Sequence, residues 1–174
     1  MRRQIYRGRI VDLGIERVTL PNGTEVDLEI VRHGGASAAV AVDEGGRVVL
    51  IRQFRHAAGG FLWELPAGVL DHPGESPAAC AGRELLEEAG VRAARLTHLT
   101  TIFTTPGFTD ERIHLFLAQD LREEAHAREH DEVIAEIARP RLREALGMIR
   151  RGEIVDSKTI CGLHLAGAAL GVIP

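Results

Sequence analysis

Glu84, Glu87 and Glu88 fall within five positions of one another in GRELLEEAG, residues 82–90, behind Arg83 and ahead of a glycine. On a helix, at about 100° per residue, Glu84 and Glu88 share one arc and Glu87 lies beside them. Arg83 is then placed for an i,i+4 pair with Glu87. Like charges four apart repel by roughly a few tenths of a kcal/mol, so a purely structural helix would more often set a basic residue opposite Glu84. Carboxylates gathered on a rigid element are what a hard divalent cation such as Mg2+ requires, with water and substrate phosphate completing its octahedron. A solvated acidic face is the alternative reading.

The flanking residues supply the helix that this chemistry needs. Ser76 is a good N-cap, Pro77 suits the first helical position and Gly90 a C-terminal stop, which predicts a helix over 77–89. Ala78, Ala81, Leu85 and Ala89 share its core-facing arc. Before it the chain alternates β-type runs with turns: RGRIVDL, ERVTL, EVDLEIVR, ASAAVAV and RVVLIRQFR. Asn22-Gly23 offers the positive-φ residues of a tight hairpin turn. After it come strand-like RLTHLTTIF and RIHLFLAQ, a charged stretch at 122–132, and helices over 140–151 and 157–170. Gly152 ends the first of these helices, and Asp156 or Ser157 caps the second. The expected fold class is α+β in one domain, with an N-terminal antiparallel strand region over 1–35 standing apart from 36–174.

Composition narrows the function classes. With 174 residues, 45% of them hydrophobic, the chain can bury one substantial core. A net charge of −4 gives no general attraction for nucleic acid. No apolar segment follows the basic start, and the apolar run over 160–174 is too short and too rich in Gly and Ala to span a membrane. Two cysteines, Cys80 and Cys161, allow at most one bridge, and a reduced, cytoplasmic protein is expected. The histidines lack metal-ligand spacing, and His126 and His130, four apart, fall in a loop-like stretch, so no zinc is assigned. Cys80 reads as a small packed residue, and Lys158, the only lysine, as a composition bias.

The stretch from Gly68 to Val91 resembles the Nudix box, G-x5-E-x7-R-E-U-x-E-E-x-G-U, where U is aliphatic. Gly68, Glu75, Arg83-Glu84-Leu85, Glu87-Glu88 and Gly90-Val91 match it, with six residues (VLDHPG) in place of five between Gly68 and Glu75. RQFRHA at 52–57, ELPAG at 64–68, TPGFTDERIHLFLA at 105–118 and GEIVDSKT at 152–159 further resemble the ADP-ribose pyrophosphatase branch of that family.

The resemblance implies a Nudix-type α/β/α sandwich with a mixed sheet and a homodimer built through the N-terminal strands. It implies metal ligation by Glu84 and Glu88 with Glu87 contributing, and by the backbone carbonyl of Ala67, with Arg83 holding the glutamates. Arg55 matches a diphosphate-binding arginine, Glu111 a substrate-binding glutamate and Pro106 a substrate-marking proline. The catalytic base falls in REHDEVI, at Glu129 first and Glu132 second. The implied activity is Mg2+-dependent cleavage of ADP-ribose to AMP and ribose 5-phosphate, with Mn2+ as a substitute metal. A GDP-mannose or broad nucleotide-sugar pyrophosphatase is the alternative, and a non-catalytic nucleotide sensor the rival from another class. The expected partner is a small nucleoside diphosphate sugar, neither nucleic acid nor membrane. Tyr6, Phe61 and Trp63 are candidates for stacking on the base, with Trp63 equally suited to the core.

Overall fold

Alternation along a single strand organises the core. In β4, Ala36–Ala41, every residue is buried, so both faces of the strand are covered. Val40 joins Leu50, Leu65, Leu142, Leu146 and Leu163 on one side, while Ala39 and Ala41 join Ile51, Ala81, Leu85 and Phe116 on the other. The computed structural model describes residues 1–125 and 133–173. Helix α1, Pro77–Ala89, packs on the second side, and α2, Leu142–Arg150, with α3, Ser157–Ala169, on the first. Each fully buried leucine in these two layers contributes about 1.5–3 kcal/mol through removal from water. The product is the expected α/β/α sandwich.

The strands form three sheets among the described residues. The central one places β7 (Ala67–Val69) beside β4, then β9 (Arg112–Glu123), then β8 (Val91–Phe103). It is mixed, since β4 and β9 run parallel and the other neighbours antiparallel. A second, antiparallel sheet orders β10 (Ile134–Ala138), β5 (Leu50–Arg55) and β6 (Gly60–Glu64). The third is the N-terminal meander of β1 (Arg2–Arg7), β2 (Asp12–Thr19) and β3 (Glu25–Arg32). It is tied to the loop before β9 by the Val31 N–H, which donates to the Phe108 carbonyl at 2.8 Å, and by Arg32 on Asp110 at 2.9 Å.

Several boundaries differ from the sequence reading. RGRIVDL and ERVTL are not two strands: β2 runs through Gly14, and Arg2 on β1 reaches across to Asp12 at 2.6 Å and Glu16 at 3.4 Å. At the β2–β3 turn only Gly23 takes positive φ, +84°. Asn22 instead accepts the Thr24 N–H on its side chain at 3.0 Å, a side-chain turn that needs no left-handed backbone. Helix α2 begins at Leu142 rather than at residue 140, because the Pro140 carbonyl is occupied by the Val48 N–H at 2.9 Å. Strand β10 escaped notice because a register shift between Ile134 and Glu136 breaks its alternation.

Candidate active site: a carboxylate wall and a cationic wall

The α1 helix forms as its termini dictate. The Ser76 hydroxyl accepts the Ala79 N–H at 3.2 Å, Pro77 opens the helix and Gly90 closes it. Ala81, Leu85 and Ala89 are buried on the sheet and Ala78 partly so, which turns the glutamates toward β7 and a cleft of about 620 Å³. Glu84 and Glu87 line that cleft with Ala67, Gly68 and Arg83. Glu88 is buried, its Oε2 accepting the Ala67 N–H at 2.8 Å.

Arg83 organises the group. Its Nη1 donates to Glu84 Oε1 at 2.7 Å and to Glu87 Oε2 at 2.8 Å, the anticipated i,i+4 pair. Its Nε and Nη2 take both oxygens of Glu75 at 2.9 and 3.1 Å. These bonds, Glu75's first, raise the arginine's pKa, and the same contact holds the Glu75 carboxyl below its usual value. Glu75 is therefore placed on Arg83 despite the extra residue before it. Cys80 is packed beneath, 3.6 and 3.5 Å from the Gly68 and Val69 carbonyls, and burial pushes its thiol up to about 12. It is a free, buried thiol, as is expected of a small packed residue.

Gly68 leaves room for the Glu84 carboxyl. A Cβ at this position would overlap the Glu84 carboxyl as it now sits, so the carboxyl occupies the space that a side chain at residue 68 would take. Among the described residues no three Asp, Glu, His or Cys side chains already converge as a metal cage. Arg83 spans Glu84 and Glu87 and offsets part of their negative charge. Even so, one guanidinium meets three carboxylates, and the donors are hard oxygens on a rigid helix beside the bare Gly68 backbone. That set fits a divalent cation.

A second group in the lining carries two cations. Arg55, at the end of β5, lines the cleft and grips both oxygens of Glu64 at 2.9 Å through Nε and Nη2. Lys158 joins Glu64 Oε2 at 2.5 Å. Burial pushes the Glu64 carboxyl up, but Arg55 and Lys158 together outweigh it and leave the pKa lowered. Sequence reading passed over Glu64, Lys158 and Asp156 as site residues, and its signal for them was slight: a lone lysine among many arginines. Glu111 also reaches the cleft, its Oε2 accepting the Thr104 hydroxyl at 2.8 Å. Pro106 occupies the exposed turn of the same loop. Strand alternation directs Leu62 and Glu64 into the cleft and Phe61 and Trp63 to the other face. There Phe61 meets Phe54 edge-on at 5.4 Å and Trp63 packs on the core. Tyr6 is exposed on β1. Glu129, Glu132, His126 and His130 lie outside the described residues.

Fold and site define a class: an α/β/α sandwich whose single box helix presents carboxylates to a cleft also lined by Arg55 and the buried Lys158. The NUDIX domain model matches residues 31–160, and the chain belongs to the Nudix family. It is 42% identical over 157 residues to a protein of Bacillus subtilis (strain 168) named ADP-ribose pyrophosphatase, covering 90% of this chain and 84% of that one. A protein of Citrobacter koseri named GDP-mannose pyrophosphatase is 38% identical over 142 residues, covering 76% and 73%. The crystal structure of an ADP compounds hydrolase superposes with a TM-score of 0.84 at 23% identity over 99% of this chain and 92% of that chain, a likeness of fold.

Proposed function

We propose that the chain is a divalent-cation-dependent hydrolase of nucleoside diphosphate sugars that cleaves ADP-ribose to AMP and ribose 5-phosphate, with Mg2+ as the working metal and Mn2+ able to replace it. The observation that carries this reading is the pairing of walls: box carboxylates on Gly68 face the Arg55–Glu64–Lys158 group across one cleft. The greater identity to, and fuller coverage of, the relative named for ADP-ribose favours that substrate over GDP-mannose. Glu84, Glu87, Glu88 and the Ala67 carbonyl would hold the cation, which neutralises diphosphate charge and lowers the pKa of bound water.

The protein's own groups do the rest. Arg83 keeps Glu84 and Glu87 in place and Glu75 keeps Arg83 in place, which preorganises the ligands before substrate arrives. Arg55 presents a charged fork to the diphosphate, the geometry that suits phosphate oxygens. Glu111 contacts substrate from the loop that carries Pro106. A carboxylate in the acidic segment, Glu129 before Glu132, orients and deprotonates the attacking water. The N-terminal sheet pairs with a second copy to form a homodimer, and the protein works in the cytoplasm. None of the described helices is long and apolar enough to cross a membrane.

Product analysis with ADP-ribose, GDP-mannose and NADH, each with Mg2+ and with EDTA, tests the reading. Metal-dependent AMP release, fastest from ADP-ribose, is expected. Faster GDP-mannose turnover would move the substrate, and binding of ADP-ribose without turnover would make the chain a sensor.

A further inference from the structure

One set of buried charges lies apart from the carboxylate helix. Lys158 is 8% exposed and Glu64 1%, and buried ions are tolerated only when paired and hydrogen-bonded. Lys158 Nζ lies 2.5 Å from Glu64 Oε2 and 3.1 Å from Asp156 Oδ2. Asp156 Oδ2 also accepts the Thr159 N–H at 3.0 Å and its hydroxyl at 2.6 Å. The Thr159 hydroxyl oxygen in turn accepts the Leu65 N–H at 2.9 Å. The start of α3 is thereby bolted to the end of β6, where Glu64 grips Arg55, whose side chain is 41% exposed at the cleft. Stability alone does not call for such an arrangement, since apolar residues of similar volume serve a core as well as a buried ion group.

We infer that Lys158 and Glu64 form a positioning device for Arg55: Lys158 fixes the Glu64 carboxylate, whose two oxygens set the direction in which the Arg55 guanidinium meets an anionic diphosphate. This rests on the proposed reading that the cleft takes a nucleoside diphosphate sugar. A guanidinium held in advance loses little freedom when it engages phosphate, so the device lowers the cost of substrate binding. Lys158 and Glu64 act through Arg55 and are positioning residues.

The test measures ADP-ribose kinetics and calorimetric affinity for ADP in the wild type, Lys158→Met, Lys158→Arg and Glu64→Gln. Lys158→Met is expected to unfold cooperatively, raise KM and weaken ADP binding about tenfold, and keep kcat within about twofold. Lys158→Arg, which keeps the charge, should restore most of the loss. If Lys158→Met does not fold, Glu64→Gln must show the same selective rise in KM. Unchanged KM and ADP affinity in either folded variant, or a loss confined to kcat, overturns the inference. Failure of both variants to fold also overturns it, as the role is then structural. A wild type that binds ADP without cleaving ADP-ribose overturns only the substrate reading and leaves ADP affinity to judge the device. A wild type that binds no ADP overturns both.

Discussion

The two walls of the cleft use the same residue types in different proportion. On the β7–α1 side, Glu75, Glu84 and Glu87 all lie within hydrogen-bond distance of one guanidinium, Arg83. On the β5–β6 side one buried carboxylate, Glu64, lies between two cations, Arg55 and Lys158. The first wall keeps an excess of negative charge, which suits a metal ion; on the second, Asp156 also meets Lys158, so its charges balance and the half-exposed Arg55 guanidinium is what it offers to phosphate oxygens. Both are preorganised by bidentate arginine–carboxylate contacts, the geometry that holds a planar fork most firmly. The walls differ in which charge of a common motif is left over: carboxylates around Arg83 on one, the Arg55 guanidinium beside Glu64 on the other.

The largest expected effect comes from removing charge on the anionic side. Glu84→Gln keeps shape and Arg83 contact but lowers ADP-ribose kcat by about a hundredfold or more, in line with losses at metal sites. Near-normal turnover at saturating Mg2+ would remove Glu84 from the ligand set. A smaller effect follows from Gly68→Ala, whose Cβ must displace the Glu84 carboxyl. The loss of preorganisation lowers kcat about tenfold and raises the Mg2+ concentration for half-maximal rate, and unchanged metal dependence would show that the cradle is dispensable.

The smallest effect concerns acid. Glu64 and Glu75 both have folded pKa values below the ordinary 4.5, so each contributes stability that is fully present above that value. The contribution is lost as pH falls through the lower folded pKa. Urea unfolding followed from pH 7 downward is expected to show stability declining below about pH 4.5. Glu64→Gln should flatten part of that decline, and an identical pH dependence in the variant would mean that the β5–β6 carboxylate is not held ionised.

How much was legible in the sequence follows from how local each signal is. Helix α1 was readable to the residue because Ser76, Pro77 and Gly90 act within one turn of its ends. The Arg83–Glu87 pair was readable because i,i+4 spacing is a helix property. The bond from Arg83 to Glu75, eight positions earlier, depends on how the preceding turn folds. The contact of Lys158 with Glu64 joins residues 94 positions apart, and no spacing reveals it. The burial of Glu88, whose Oε2 accepts the Ala67 N–H, depends on how α1 packs against β7 and is not readable from charge counting.

The central claim, that the carboxylate wall holds the divalent cation, is tested most directly by titrating Mn2+ into the wild type and Glu84→Gln and reading free Mn2+ by electron paramagnetic resonance. The account predicts saturable uptake by the wild type that Mg2+ displaces, weakened about 10–100-fold by the substitution. Equal affinity in both proteins, or no uptake by the wild type, would contradict it.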